Sequence, residues 1–590
     1  MRRASERMLS RLNAALLAYQ QTDPGDPDCG GIRCPGCGLY HTRAAEAVFP
    51  LAYEYSLTGK EERLQQALAV ADWLFRQQRS DGAWEETPET WTGTTTDQLL
   101  MLLLAYPIVR PHLDRKARKT WLTVMERAAD YLEGFMDNHN ASINYCSTTT
   151  ATLAEAYLRF GKPSYRAKAM ALAHMVVAKM NAESFIEGEG ERVGNYRYGV
   201  DIGYNMEMSL WGLARYAQLT GDSGVLASVE RSAAQHLAFI YPDGMLDGSA
   251  GTRSNKWTVY GSGTSDGCHP LFALLSEGHP EYITAAVRNI GRMSYCFSDC
   301  GLLGQGPDFD GAMPGKNPCI YPTFTKAKSM AMAHSWVAAD TEDLVPLPCD
   351  RDCLTHFPSL DIAVIRRGPF CATVTAYGYK SHKGTSSKNM FRPTGGAMSA
   401  LWVEGFGLLQ ASSQTEYHRW EPMSFPEMGD VTPLTPRLEL RTEEGYWSNL
   451  FEFDARFDVG EVAGGVHCRA EGMLKDREQR SCGIPYKLHY RISDGSLVKE
   501  YTIGGDTPAR IVEPLLYDEG TVIEQSDPRT VTVSGADVSV RIHSPSAALS
   551  LDREGAASCR QVYPALRALP LVIGITPGET VCLEYSIVRK

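Results

Sequence analysis

The chain has 590 residues, of which 22% are charged and 43% are hydrophobic, and its formal net charge at pH 7 is −12. A chain of this length forms about two to four domains with a substantial buried core. Its composition excludes collagen, a coiled coil and global disorder. The acidic excess also argues against a nucleic-acid partner, because phosphates require a basic protein face.

The distribution of apolar residues and cysteines bears on location. The longest apolar run, residues 99–105, is about a third of the length that spans a bilayer. The first residues form an amphipathic pattern without the continuous apolar stretch of a secretory leader. The fifteen cysteines are odd in number and scattered, which is atypical of a disulfide scaffold. We therefore expect a cytoplasmic protein with no membrane partner.

Residues 1–340 are rich in alanine and leucine and contain a repeated helical pattern. Segments 50–75, 153–177 and 210–239 each combine an apolar helix, a glycine and an amphipathic helix. A glycine in this place can adopt the left-handed conformation that ends a helix. Each segment is therefore predicted to be a helical hairpin that buries its apolar face against its neighbours.

The apolar helices of these hairpins are predicted to begin at similar intervals. Their expected starts lie near His41, Thr94, Tyr145, Tyr204, Thr264 and Tyr321, at separations of 53, 51, 59, 60 and 57 residues. Six such hairpins favour an (α/α)6 toroid whose inner ring consists of the apolar helices. An open solenoid of the HEAT type is the alternative, but its repeats are shorter, about 40–47 residues.

Short β-branched runs separated by turns replace the helical pattern in the rest of the chain. Residues 490–492 and 497–501, for example, flank a turn that contains glycine and are predicted to form a hairpin. We expect an antiparallel β-sandwich over residues 359–590, joined to the toroid of residues 1–340 by a linker at 341–358. The predicted fold class is therefore α+β multidomain.

Polar residues are concentrated where the apolar helices begin. In a toroid these starts meet around one opening, so their aromatic, amide and hydroxyl groups suit a sugar. The candidate substrate-binding residues at these starts are His41, Arg43, Trp91, Asn144, Tyr145, Tyr204 and Asn205. For the threonines and serines nearby, the alternative is an ordinary helix N-cap.

The long loop 243–270 precedes one of the expected helix starts, and loops of this length are usually functional. It supplies the further substrate-binding candidates Arg253, Lys256, Trp257 and Tyr260, and His382 is expected to join them from the β-domain. Arginine binds carboxylates in a bidentate manner, so Arg253 and Lys256 could hold an acidic sugar. A structural ion pair with Asp243 or Asp247 is the alternative.

Carboxylates are the candidate catalytic groups. Glycoside hydrolysis requires one protonated and one ionised carboxyl group on either side of the scissile bond. Asp201, Glu207 and Asp266 lie at the predicted opening, with Glu189 and Glu191 behind them. Asp201 and Asp266 precede adjacent inner helices and are expected to face each other.

A cysteine-rich segment precedes the first inner helix. Cys34 and Cys37 are followed by His41, and Cys29 lies upstream, so a zinc knuckle is one interpretation. The other interpretation, which we favour at this level, is reduced loop cysteines beside a substrate-facing His41. We expect no metal and no cofactor, since phosphate-binding and nucleophile-elbow motifs are also missing from the sequence.

Three segments carry a family resemblance: CPGCGLYHTRAAEAVFPL (34–51), VDIGYNMEMSL (200–210) and GTRSNKWTVYGSGTSDGC (251–268). They resemble signature segments of glycoside hydrolase family 154. That resemblance implies a toroid followed by a β-sandwich, and an exo-acting β-glucuronidase activity. The architecture is also similar to that of heparinase-like and alginate polysaccharide lyases.

The predicted function is therefore removal of a uronic acid from an acidic oligosaccharide or polysaccharide, by a hydrolase that uses two of the three carboxylates. The alternative is a polysaccharide lyase that cleaves uronate-containing glycans by β-elimination with Asn205 and Tyr260. A non-catalytic carbohydrate-binding protein is a further alternative. A homo-oligomer is possible in each case.

Overall fold

A computed structural model describes residues 1–88, 90–188, 197–252, 267–304, 306–379, 392–415, 431–559 and 566–589. Helices fill the N-terminal part. They are α1 (Arg2–Leu17), α2 (Val48–Thr58), α3 (Glu61–Arg76), α4 (Thr95–Val109), α5 (Arg115–Phe135), α6 (Ile143–Phe160), α7 (Pro163–Val177), α8 (Ile202–Tyr204), α9 (Leu210–Thr220), α10 (Ser223–His236), α11 (His269–Leu274), α12 (Pro280–Met293), α13 (Phe309–Ala312) and α14 (Tyr321–Trp336). A 3-10 turn, Thr42–Ala47, precedes α2, and a π-helical segment, Asn205–Ser209, joins α8 to α9.

Six of these helices contact one another in a closed order: α2, α4, α6, α9, α11 and α14, with α14 in turn against α2. Each also packs against outer helices, most extensively against α3, α5, α7, α10, α12 and α1, respectively. The division follows from sequence: α4 buries most of its side chains, including those of its first turn, whereas α5 buries only one face. Helices α2, α6 and α9 end at Gly59, Gly161 and Gly221, whose positive φ values confirm the predicted left-handed caps.

The C-terminal part consists of antiparallel strands in two sheets. The strands are β1 (Cys353–Phe357), β2 (Ile362–Arg367), β3 (Phe370–Thr375), β4 (Ala397–Val403), β5 (Gly407–Gln410), β6 (Arg437–Thr442), β7 (Gly445–Ser448), β8 (Arg456–Val462), β9 (Gly465–Lys475), β10 (Ser481–Ser493), β11 (Ser496–Ile503), β12 (Ala509–Tyr517), β13 (Val522–Asp527), β14 (Thr530–Ser534), β15 (Val538–His543), β16 (Ser550–Leu551), β17 (Arg567–Ile575) and β18 (Thr580–Arg589).

The first sheet has the order β1-β2-β3-β4-β5, and the second has the order β13-β14-β15-β18-β11-β10-β9-β7-β6-β12-β17-β16, with β8 against β9. The alternating burial along β10 and β11 places one face of that hairpin in a core shared with the first sheet. The hairpin is the one predicted from sequence, with Ile492 opposite Leu497. Strand β1 occupies the last part of the expected linker 341–358; the domain boundaries themselves stay a prediction.

The first sheet also packs against the helical part. The Tyr241 hydroxyl lies 2.8 Å from Thr373 Oγ1, which donates to Asp247 Oδ2 at 2.6 Å. The Ser249 hydroxyl donates to Ser399 Oγ at 2.8 Å. These buried bonds fix the start of the long loop 243–270 against strands β3 and β4. No helix in the described part of the chain combines the length and the apolarity needed to cross a membrane.

Candidate functional site

The inner helices bring a cluster of buried charges to one place. Lys328 Nζ on α14 lies 2.6 Å from Glu46 Oε2 and 3.3 Å from Asp97 Oδ1 on α4. Arg43 Nε lies 2.7 Å from Glu46 Oε1, and one of its terminal nitrogens lies 3.5 Å from Asp97 Oδ2. Burial opposes the charged guanidinium, but the two carboxylates hold the pKa of Arg43 well above its ordinary value. We call these four residues the charge cluster.

A second group of residues surrounds the π-helical segment. The Asp201 carboxylate accepts a hydrogen bond from the Tyr204 N–H at 2.9 Å and so caps α8. Glu207 Oε1 lies 3.3 Å from Lys326 Nζ. Of the three predicted catalytic carboxylates, one is thus a helix cap and one faces a lysine, whereas Asp266 lies outside the described residues.

Asn205 is the first residue of the π-helical segment. Its side chain is 2% exposed, and its Nδ2 has no hydrogen-bond partner among the described residues. A buried amide donor left in this way costs free energy, so it indicates a place for a ligand oxygen. Single π-turns inside helices are also frequent at functional sites, because they redirect side chains.

Aromatic side chains lie between these two groups. The rings of Trp91 and Tyr145 are half-buried and meet edge to face, with centroids 5.7 Å apart. Burial raises the pKa of the Tyr145 phenol well above its ordinary value; the charge of Arg43 opposes this effect, and Glu86 and Asp97 reinforce it. Tyr145 is therefore protonated and can donate a hydrogen bond. Tyr204 is also half-buried.

Two predicted substrate-binding residues are buried among protein atoms. His41 is fully buried, with Nδ1 2.7 Å from the Thr87 carbonyl oxygen and Nε2 3.1 Å from Cys37 Sγ. This differs from the expected substrate-facing position. Asn144 is 1% exposed, and its Nδ2 lies 3.3 Å from Met208 Sδ. Their roles in substrate binding stay predictions.

The remaining candidates, Arg253, Lys256, Trp257, Tyr260 and His382, lie outside the described residues. The residues that flank the first four are anchored beside the site. The Thr252 N–H donates to the Val200 carbonyl oxygen at 2.9 Å, next to α8. On the other side, burial raises the pKa of Cys268, with Glu207 adding to the effect and Lys326 opposing it. Thr252 and Cys268, on the two sides of residues 253–266, therefore both lie near the π-helical segment.

Several charged residues of the site were not selected from the sequence. They are Glu46, Glu86, Asp97, Lys326 and Lys328. The sequence does indicate these residues, because charged residues within helices that are otherwise apolar must be paired or functional. Asp97 precedes the longest apolar run of the chain, and two lysines interrupt α14.

Known proteins share both parts of this chain. Residues 9–348 match the family model described as ulvan lyase N-terminal domain, and residues 354–588 match ulvan lyase C-terminal domain. A broad-specificity ulvan lyase from Formosa agariphila is 28% identical over 577 residues, which is 94% of this chain and 89% of that protein.

Solved structures share the fold. Heparinase III superposes with a TM-score of 0.56 at 11% identity, over 92% of this chain and 76% of that one. The chondroitin AC lyase of Streptomyces coelicolor gives 0.53 at 14% identity, over 99% and 79% of the two chains. A helical N-terminal part followed by antiparallel sheets is thus the arrangement of heparinase-like lyases.

These matches overturn the predicted function. The glycoside hydrolase prediction is wrong, and so is the resemblance to family 154 that led to the β-glucuronidase assignment. Abundant carboxylates favour an acid and base pair at the level of sequence, but a buried carboxylate can equally cap a helix or pair with a lysine. In the structure Asp201 caps a helix and Glu207 lies against a lysine.

Proposed function

Because the chain belongs to the ulvan lyase family, we propose that it is a polysaccharide lyase that cleaves an acidic, uronate-containing polysaccharide by β-elimination. Its relative from Formosa agariphila is an ulvan lyase, so ulvan is the substrate to test first. The non-catalytic alternative predicts binding of the same polysaccharide without cleavage.

The observation that carries the proposal is the unsatisfied amide of Asn205. β-Elimination removes the proton at C5 of a uronate, which is acidic only when the adjacent carboxylate is neutralised. A neutral amide donor at a buried position stabilises the charge that builds up on that carboxylate in the transition state. Asn205 is 2% exposed and its Nδ2 has no hydrogen-bond partner among the described residues, so this nitrogen is available for the carboxylate oxygen.

The reaction needs a base for the C5 proton as well. We assign this role to Tyr260, in the segment whose flanking residues are anchored beside the π-helical segment. The electron pair of the C5–H bond forms the C4–C5 double bond, and the C4–O bond breaks. The leaving oxygen takes up the proton that Tyr260, acting as a phenolate, has removed from C5, and no water is added. Arg253 and Lys256 are the proposed contacts of the substrate carboxylates.

The architecture belongs to the same proposal. The closed order of contacts among the six inner helices supports an (α/α)6 toroid, and the two antiparallel sheets support a β-sandwich. With residues 1–340 as the toroid and 359–590 as the sandwich, the site lies at the inner-helix starts. Strands β3 and β4 contact the segment that leads into it.

The test is incubation of the purified chain with ulvan while the ultraviolet absorbance is followed. A lyase creates a double bond conjugated with the carboxylate, so absorbance rises as new chain ends appear. The Asn205→Ala variant is expected to lose this rise. The Asn140→Ala variant, in which an exposed amide is removed from a surface turn, is the matched control and should retain it. New chain ends without absorbance would contradict the proposal.

A further inference from the structure

Three cysteine sulfurs and one histidine nitrogen lie close together beside the first inner helix. Cys34 Sγ, Cys37 Sγ and His41 Nε2 all lie within 4.8 Å of one another, and Cys37 Sγ is 3.1 Å from His41 Nε2. Cys319 Sγ lies 4.0 Å from Cys34 Sγ, although it is 285 residues away in sequence. In a tetrahedral zinc site, ligand atoms at normal bond lengths are roughly 3.5–3.8 Å apart.

The backbone around the first two cysteines forms a tight turn. The Gly38 N–H donates to the Cys34 carbonyl oxygen at 2.8 Å, and the Cys34 N–H donates to the Leu39 carbonyl oxygen at 2.8 Å. Gly38 has a φ of 76°, in the left-handed region that favours glycine. The spacing Cys-x-x-Cys in such a turn presents both sulfurs on one side, as in zinc knuckles.

The fourth residue is delivered by a close backbone approach. A Cβ on Gly36 would lie 2.8 Å from the Pro318 carbonyl oxygen, so only glycine lets segment 317–319 come this near. The Ile320 nitrogen lies 3.4 Å from Cys34 Sγ, and its N–H directs the partial positive charge of the hydrogen at that sulfur. Such N–H contacts stabilise a thiolate ligand.

The histidine is held in the orientation that a metal ligand requires. His41 Nδ1 lies 2.7 Å from the Thr87 carbonyl oxygen, so Nδ1 carries the proton and Nε2 is the acceptor nitrogen toward the sulfurs. Cys34 and His41 are fully buried and Cys319 is 6% exposed, whereas Cys37 is half-buried, so three of the four ligand residues are shielded from water. Four protein ligands and a dry surrounding are typical of a structural site rather than a catalytic one.

We propose that Cys34, Cys37, His41 and Cys319 bind one structural zinc ion. The nearby Cys29, considered as a ligand from sequence spacing, is replaced in this set by Cys319. None of the cysteines that the structure describes forms a disulfide, and the 4.0 Å between Cys34 Sγ and Cys319 Sγ is far from the bonded distance of about 2.05 Å.

The proposed ion ties together the two ends of the ring of inner helices. His41 leads directly into the 3-10 turn that carries Arg43 and Glu46 of the charge cluster. Cys319 comes two residues before Tyr321, whose hydroxyl contacts Glu86 and whose ring lies 5.3 Å from that of His41. Zinc at this place therefore positions the entry to α2 and the start of α14 relative to each other.

The experiment is metal analysis of the full chain, purified without an affinity tag or chelator, by inductively coupled plasma mass spectrometry. About one zinc per chain is expected for the wild type and for the control variant Cys29→Ser. The variants Cys37→Ser and Cys319→Ser should lose most of it. Zinc retained in Cys319→Ser but lost in Cys29→Ser would overturn the ligand set.

A second measurement uses the wild type and therefore tests the proposal even if the variants do not fold. A mercurial reagent added to the folded wild type should release zinc to a colorimetric indicator in proportion to the thiols it modifies. Replacement with Co²⁺ should give the sulfur-to-cobalt charge-transfer absorption of thiolate ligation. A wild-type chain that contains no zinc and gives no such band after reduction and incubation with Co²⁺ would overturn the proposal. Neither readout depends on cleavage of any polysaccharide.

Discussion

The charge cluster and the π-helical segment are neighbouring parts of the ring of inner helices, but they differ in whether their buried polar groups have partners. In the charge cluster, Lys328 and Arg43 face Glu46 and Asp97 in a reciprocal arrangement of opposite charges. At the π-helical segment, Asn205 keeps a buried donor that no described residue accepts. Buried charges that are paired within the protein support the architecture, whereas we propose that the unpartnered donor of Asn205 binds a ligand. The number of charged residues is therefore a poor guide to the site.

The largest expected effect tests the structural side of this comparison. Lys328→Met leaves Glu46 and Asp97 buried with Arg43 as the remaining cation of the cluster, so the free energy of unfolding should fall by about 3–5 kcal/mol. The control is Lys162→Met, which removes the ion pairs of the 42% exposed Lys162 side chain with Asp130 and Glu133, whose side chains are 50% and 28% exposed. Its expected cost is below about 1 kcal/mol. Urea unfolding curves measure the free energy of unfolding of both variants. Equal losses would contradict the claim that the buried charge cluster stabilises the architecture more than an exposed ion pair does.

The next effect tests the functional side. Asn205→Ala should lower kcat for ulvan cleavage by about 10²–10³-fold, the usual cost of removing one donor to a transition-state oxygen. Its melting temperature should stay at or above that of the wild type, because an unsatisfied buried amide is removed. If stability falls while turnover is preserved, Asn205 is a structural residue and the assignment fails.

A third prediction concerns the contact between the two parts of the chain. Thr373→Val removes the donor to Asp247, whose buried carboxyl already has its pKa raised by desolvation. We expect a loss of about 1–3 kcal/mol in the free energy of unfolding. Thr502→Val breaks an exposed contact with Thr580 and should change stability by less than about 0.5 kcal/mol. Similar losses in the two variants would show that the buried bond between Thr373 and Asp247 stabilises the chain no more than an exposed contact does.

The smallest effect is a pH dependence far from the site. Burial lowers the pKa of His236 to about 4, with the Ser232 carbonyl oxygen opposing the shift. The neutral form is thus favoured when folded, so this stability is complete above the ordinary pKa and is lost as pH falls toward 4. Between pH 7 and 5 we expect a loss of roughly 1–2 kcal/mol.

His236→Leu should reduce the part of the slope that comes from this group, whereas the exposed His139→Asn should not. Denaturant titrations at both pH values provide the measurement. An unchanged slope in His236→Leu would mean that other groups set the acid limit of stability.

Local features were predictable because they depend on neighbouring residues. The caps at Gly59, Gly161 and Gly221, the start of α14 at Tyr321 and the hairpin of β10 and β11 all follow from short-range patterns. The pairing of Lys328 with Asp97 joins residues 231 positions apart, and no local pattern specifies it. Cys319 illustrates the same limit, because the cysteine spacing that suggests a knuckle gives only the local residues.

The site residues divide in the same manner. Asn205 was among the candidates because amides suit sugars, but its lack of a described partner is visible only in three dimensions. Asp201 and Glu207 are candidates because of their chemistry. The structure shows one as a helix cap and the other beside Lys326, and their catalytic role stays a prediction. A sequence shows which residues are charged, whereas the partner of each charged residue depends on the fold.

The most direct test of the central claim is a mass balance on one purified uronate-containing oligosaccharide that the chain cleaves. β-Elimination conserves atoms, so the masses of the two products should add up to the mass of the substrate. One of the products should absorb in the ultraviolet, and Asn205→Ala should form both products about 10²–10³-fold more slowly. Products whose summed mass exceeds the substrate by one water would contradict the account, because they would show hydrolysis.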